Sequence, residues 1–314
     1  GLFQQLGIFN ESGVSQHTIA LEEINETFGI VGDRVRGERN NVGKNDPRKI
    51  HTFAIPHFPL DDYISPKDIQ GQRAYGADSA EVLVDVRMRK MERIRKSHAA
   101  TLESARAALI NTGDVFAPNG TVVGNFYTAF GITRKDVNFA LTTGTTEIIA
   151  KCEEVIAHIQ DNMLSGETMD RVVGLCSPGF FSALISHATV KEAYKYYSST
   201  QEPLRQRLGA AGLDARYRSF EFGGILFIEY RGSYSGYGNL ITANEARFIP
   251  LGTSDVFYTY FSPAEKFDLV NTVGQQAYMF EYRDPKGAKI EIETESNFLN
   301  LFRRPAVIVR GTKS

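Results

Sequence analysis

An α+β fold is what the 314-residue sequence predicts, on three observations. Residues 79–111 hold neither Gly nor Pro and repeat apolar side chains at helical spacing. Residues 143–255 alternate helix-like and strand-like runs. Residues 276–314 are strand-rich, with two alternating runs on either side of Asp284-Pro285-Lys286-Gly287, a turn signal.

The elements follow in chain order. Residues 1–28 are mixed and weakly periodic and read as an arm more than a core element. Residues 29–63 place two β-leaning flanks around a polar, Gly- and Asn-rich centre at Gly37–Pro47, the pattern of a long hairpin whose tip is too polar for its own core. Residues 79–111 predict a helix about 50 Å long at 1.5 Å per residue. Asp78 or Ser79 stands at its start and Gly113 just past its end. Its apolar stripe runs through Val84, Met88, Met91, Ile94, His98, Leu102, Ala105 and Leu109. A single-stripe helix of that length predicts a strut lying across a sheet. Residues 114–142 read as strands. In 143–255, an amphipathic helix presents Ile148, Ile149, Cys152, Val155, Ile156 and Ile159 on one face. "RVVGLCS" reads as a buried strand, Ser177-Pro178 as the start of the next helix, and "FEFGGILFIEY" as one more strand. "RPAVIVRG" makes the last strand.

Bulk composition excludes several function classes. A net charge of -2 gives no global attraction to nucleic acid. No run of 18 apolar residues predicts a membrane helix, and no leader pattern opens the printed residues, so no export signal is expected. Two cysteines, Cys152 and Cys176, without a CxxC pair, predict neither a disulfide framework nor a zinc knuckle.

The polar stretch "KIHTFAIPHFPLDDYI", Lys49–Ile64, is the first candidate for chemistry, with His51, His57, Asp61 and Asp62. On one continuous strand the two histidines would stand about 20 Å apart at roughly 3.3 Å per residue, whereas zinc ligands lie about 2 Å from the ion. They cannot share a metal within one chain; His57 with Asp61 or Asp62 stays open. The bland reading is a strand leaving the hairpin and entering the body, kept extended by Pro56 and Pro59. The basic run Arg87–Lys96 spreads its six charges around the helix, which favours ion pairs to a neighbouring element or subunit, Arg87 and Arg95 among them, over a phosphate-binding stripe. Cys176 and Ser177 sit at a strand-to-helix turn but lack G-x-S-x-G, and a helix cap explains Ser177.

The order of segments carries more than any motif. "VRGERNNVGKNDPRKIHTFAIPHFPLDDYISPKDIQGQRAYG", the long helix, and "GQQAYMFEYRDPKGAKIEIETESNFLNLFRRPAVIVR" resemble the major capsid proteins of tailed bacteriophages with the Hong-Kong-97-type fold, and more narrowly the lambda-type protein E family of major head proteins. The resemblance spans nearly the whole chain. It implies an N-terminal arm at 1–28, an extended loop at 29–63 lying over a neighbouring subunit, a peripheral domain from 64–142 and 256–314 with 79–111 as spine helix, and an axial domain at 143–255. It implies a structural protein with no reaction and no cofactor or metal. Copies of the chain, as hexamers and pentamers, would close into an icosahedral shell in the host bacterial cytoplasm, around double-stranded DNA held non-specifically on the inner face. Scaffold, portal and decoration proteins are further partners of such families. On this reading Arg34, Arg36, Lys44, His51, His57, Asp61, Asp62, Arg87 and Arg95 are candidates for inter-subunit contacts, Asp61 and Asp62 pairing with the basic spine helix or with a neighbour. Two alternatives stay open from sequence: a cytosolic α/β enzyme using Cys176 or Ser177, and a nanocompartment shell of the same fold.

Overall fold

The computed structural model describes residues 1–24, 48–70, 82–116, 121–163, 167–195, 217–234 and 238–314. The N-terminus forms a short helix α1 (Leu2–Gln5) and strand β1 (Asn10–Gly13). Strand β2 (Thr18–Ile24) pairs antiparallel with β3 (Arg48–Ala54), in register from Thr18 opposite Ala54 to Ile24 opposite Arg48. The hairpin flanks expected in 29–63 therefore begin earlier, at 18. Its polar centre, with Arg34, Arg36 and Lys44, lies outside the described residues. Two three-residue strands follow, β4 (His57–Pro59) and β5 (Asp62–Ile64).

The long helix α2 (Leu83–Thr112) ends where expected: Gly113 takes a left-handed φ of 79° and its N–H donates to Leu109 O at 2.8 Å. Asp78 and Ser79 lie outside the described residues. The apolar stripe holds from Ile94 onward and fails before it. Val84 and Met88 are 62% and 64% exposed, while Val86 is buried against Ile64, Ile94 and Ile292. The helix rests one face on β-structure in its first half. Its second half is enclosed more widely, so that Glu103, Arg106 and Ala107 are buried as well.

Next come β6 (Asp114–Phe116), β7 (Val122–Asn125), helix α3 (Phe126–Phe130), β8 (Lys135–Asn138), helix α4 (Ile148–Asn162), β9 (Arg171–Cys176), and helices α5 (Pro178–Ser186) and α6 (Ala188–Lys195). Residues 114–142 thus hold a helix, α3, where strands alone were expected; Asn125 caps it by accepting from Thr128 N. On α4, Ile148, Cys152, Val155 and Ile159 are buried, but Ile149 points outward. "FEFGGILFIEY" is not one strand but a hairpin, β10 (Ser219–Phe222) and β11 (Ile225–Glu229). Gly223 and Gly224 both have positive φ, 56° and 76°, the conformation a two-residue hairpin turn requires. The chain ends with the short pair β12 (Ser233–Tyr234) and β13 (Gly238–Asn239), then β14 (Glu245–Leu251), β15 (Phe257–Phe261), β16 (Tyr278–Arg283), β17 (Ile290–Phe302) and β18 (Val309–Thr312).

Two six-stranded sheets organise these elements. In one, the thirteen-residue β17 is the axis: β15 pairs with its second half and β1 adds parallel to β15. Its first half is flanked by β16 on one side and by β5 and β4 on the other. The other sheet has the order β10-β11-β9-β14-β18-β8. Its last two strands come from outside 143–255, so the α/β unit is completed by residues 135–138 and 309–312.

The second sheet is buried on both faces, which explains why "RVVGLC" is apolar without alternation. Val172 and Cys176 face α4 and α5, whereas Val173 and Leu175 face the end of α2 and the N-terminus. That second face takes in the start of the chain. Leu2 and Phe3 have no exposed surface, and Phe3 and Phe9 make edge contacts with Tyr230 and Phe257. Five apolar side chains in nine residues (Leu2, Phe3, Leu6, Ile8, Phe9) were the signal, too short to show a period.

Candidate functional site

The stretch 55–64 forms a joint between the hairpin, β17 and α2. Pro56 interrupts what would have been one strand, so His51 stays in β3 and His57 begins β4. The single strand carrying both histidines is thereby corrected. His51 packs its ring against Phe130, centroids 4.7 Å apart. His57 Nδ1 lies 2.8 Å from Asn297 Oδ1, with Glu295 Oε2 at 3.9 Å. Asn297 Nδ2 donates to Pro263 O, so its Oδ1 is the acceptor and His57 carries its proton on Nδ1. Among the described residues no group of three or more His, Cys, Asp or Glu is placed to hold a metal.

Leu60 is clamped on both its polar atoms. Its N–H donates to Thr294 O at 2.8 Å, and its carbonyl accepts from Thr294 Oγ1. With that hydroxyl proton committed, Thr294 Oγ1 accepts from His98 Nε2 at 2.9 Å. Burial pushes His98 below the ordinary histidine range, so it is neutral at neutral pH. One buried imidazole thus links the spine helix, the long strand and the joint. Phe58 fills the remaining gap, stacked on Phe298 with centroids 4.5 Å apart.

Asp62 accepts from Lys90 Nζ at 3.0 Å, and the same ammonium donates to Tyr63 O, lies 3.8 Å from Asp68 and sits over the Tyr63 ring. The Ser65 N–H, with Lys90 adding to it, holds Asp68 below the usual carboxylate range. Arg87 meets Glu281 of β16 at 2.6 Å. Asp62 and Arg87 therefore have partners inside the chain. Asp61 and Arg95 are exposed.

Sequence reasoning missed a second charged constellation, where α2 meets the second sheet. Arg247, almost fully buried on β14, donates to Asn111 O at 2.9 Å and to Glu245 at 2.6 Å. Arg134 donates to the same Asn111 carbonyl at 2.7 Å, and Arg310 spans Glu245 and Asp136. Burial pushes Arg247 down to about 10, still protonated at neutral pH. Burial alone would raise Glu245, but hydrogen bonds from Arg310 and Arg247 outweigh it and hold the carboxyl below its usual range. The three guanidinium groups cluster at the C-terminal end of α2, the negative end of the helix dipole. A glutamate and an arginine two residues apart at the start of an otherwise apolar strand were the sequence sign.

The turn at Cys176–Ser177 does not assemble a nucleophile. Burial pushes the Cys176 thiol well above its ordinary range, and its Sγ donates to Gly174 O. Ser177 is buried at the cap position but makes no side-chain cap; its Oγ accepts from Glu245 N at 3.2 Å. The expected N-cap position of Ser177 therefore holds, with Pro178 in the first turn, and only the side-chain capping bond is missing.

Comparison with known proteins gives one family. The family described as phage major capsid protein E matches residues 1–313. The chain is 51% identical to the major capsid protein of Pseudomonas phage KPP10, over 99% of this chain and 92% of that protein. It is 26% identical to the major capsid protein of Salmonella phage Felix O1, over 98% and 90%. Solved structures share the fold at low identity. The capsid of cyanophage P-SCSP1u aligns with a TM-score of 0.57 and 13% identity, covering 99% of this chain and 87% of that one. The mature capsid of bacteriophage PhiM1 aligns with a TM-score of 0.56 and 11% identity, covering 97% and 84%. With its Hong-Kong-97-type fold, the chain belongs to the phage major capsid protein E family, and its role is the structural one of forming the capsid shell.

Proposed function

We propose that copies of this chain, grouped as hexamers and pentamers, close into an icosahedral head around double-stranded phage DNA, assembled in the host cytoplasm. The observation that carries this reading beyond the family is the β2–β3 ribbon. It belongs to neither six-stranded sheet. Phe53 anchors its base on Phe126, ring centroids 4.6 Å apart, but Ile50 further out is exposed. A two-stranded ribbon with apolar surface open to water is marginal alone and gains stability when a neighbour covers it. Arg34, Arg36, Lys44, His51, His57, Asp61 and Arg95 are the side chains proposed to meet that neighbour.

The net charge of -2 suits a wall that touches DNA without reading it: such contacts are to phosphate, independent of sequence. Scaffold, portal and decoration proteins complete the proposed set of partners. The test is electron microscopy of particles formed by the chain in phage-infected cells, with nuclease digestion of their contents before and after disruption. Icosahedral particles whose DNA becomes digestible only on disruption are expected. Discrete subunits alone, or shells filled with a protein cargo, would refute it; the second result would favour a nanocompartment.

A further inference from the structure

Between β15 and β16 the chain runs out in a loop, residues 262–277. In it Phe267 is 98% exposed, Val270 62% and Val273 66%. Scattered apolar side chains are ordinary on a surface, but three within seven residues, one a bare phenyl ring, form a patch. The loop is held, not slack. Leu269 N donates to Lys266 O at 2.9 Å, and both the N–H and the hydroxyl of Thr272 donate to Leu269 O, at 3.1 and 2.7 Å. Asn271 takes a left-handed φ of 60°. At its far end Gly274 N donates to Val14 O at 3.0 Å, and Gly13 packs so closely that a Cβ there would lie 2.3 Å from Gly274 O. Lys266 is turned inward, its Nζ 2.6 Å from Glu293 and over the rings of Phe280 and Tyr282, while Glu265 and Asp268, the latter directly after Phe267, stay exposed beside the patch. The tip, three exposed apolar side chains around the Asp268 carboxylate, is thus pre-organised, which lowers the ordering cost of any contact it makes.

We propose that this loop docks on a second copy of the same chain, with Phe267 as its anchor. The inference rests on the shell reading, which sets copies beside one another. The size of the patch argues for a copy over a free partner. Three such side chains offer on the order of 300 Å², well short of the roughly 800 Å² per partner that a stable pairwise complex buries. The contact therefore forms only where other contacts act alongside it, as they do between subunits of a closed shell.

The test compares full-length wild type, Phe267→Ser and Phe267→Leu in a system where the wild type forms shells, read by sedimentation and electron microscopy. Burial of one phenyl ring corresponds to a roughly tenfold to hundredfold change in an equilibrium. Phe267→Ser should raise the subunit concentration needed for shells by that factor, Phe267→Leu by no more than about threefold. The unassembled Phe267→Ser subunit should melt within about 1 °C of wild type, as for an exposed position. Shells from Phe267→Ser at the wild-type concentration would overturn the inference alone. So would a lowered subunit melting temperature large enough to explain the defect. Failure of the wild type to form shells would overturn the shell reading beneath it.

Discussion

Replacing Arg106 by Met should lower the melting temperature of the unassembled subunit by about 3–5 °C. Arg106 is almost fully buried on α2. Its guanidinium donates to Glu11 of β1 at 2.7 Å and to Thr259 Oγ1 of β15 at 2.9 and 3.3 Å, and stacks over Phe9. Thr259 passes its own proton to Asn300 Oδ1 on β17 at 2.8 Å. One side chain thus joins the helix to two strands directly and, through Thr259, to a third. Methionine keeps the apolar stem but not the donors. Glu11 is partly exposed and regains water, so the full penalty of orphaning a buried charge does not apply. The fully buried Thr259 hydroxyl regains nothing, and the lost charge-assisted bonds add to it, for about 2–3 kcal/mol in total. Unfolding entropy for 314 residues is about 0.66 kcal/mol per degree, which converts that loss into 3–5 °C. Calorimetry of unassembled wild type, Arg106→Met and Glu11→Gln is the assay. Glu11→Gln should move the transition by about 1 °C. An Arg106→Met transition within 1 °C of wild type would refute the reasoning, and an equally large effect of Glu11→Gln would shift the credit to the exposed ion pair.

Other outcomes follow from the same geometry. His98 is held neutral by burial, with its folded-state pKa depressed, so the unfolded chain takes up the proton first. Subunit stability should therefore fall as pH drops through and below the ordinary histidine range; in urea titrations His98→Gln should lose that dependence and keep only the acid loss at lower pH from groups such as Glu245, whose carboxyl is also depressed. Lys90→Ala removes the ammonium shared by Asp62, Asp68 and the Tyr63 carbonyl, and should cost about 1 kcal/mol while raising hydrogen exchange selectively in 60–69. Gly113→Ala should cost about 2–3 kcal/mol by thermal melting, because the residue has a left-handed φ and its Cβ would lie 2.5 Å from the Tyr127 ring.

Several features were readable because each depends on only a few neighbouring residues. The helix over 83–112 follows from a long run without Gly or Pro, and its end from Gly113. The β16–β17 turn follows from the Asp-Pro-Lys-Gly signal, with Gly287 at a φ of 70°. The Gly-Gly turn signal at 223–224 is obscured in the sequence because the apolar residues on both sides read as one run. The pairing of Asp62 with the basic helix was readable from the opposite charges of the two segments, and Lys90 is the partner.

What the sequence by itself determined was the local grammar, together with the family-like order of its segments. A long helix, a ribbon with a polar centre, a buried strand before Ser177-Pro178 and a strand-rich end are short-range facts, written in periodicity and in turn residues. What only the tertiary structure decided was which faces are covered. Periodicity shows that a helix has an apolar side, but not where a second layer closes over its polar one. Arg106 and Glu103 are buried because strands and the N-terminus meet there, while Val84 and Met88, on the nominal apolar stripe, stay exposed because none of the described residues covers them. The same holds for the first nine residues, too few to show a period, and for Phe267, whose exposure depends on how β1 and Gly274 hold its loop. Burial is a property of the whole packed chain, since water is excluded by elements far apart in sequence.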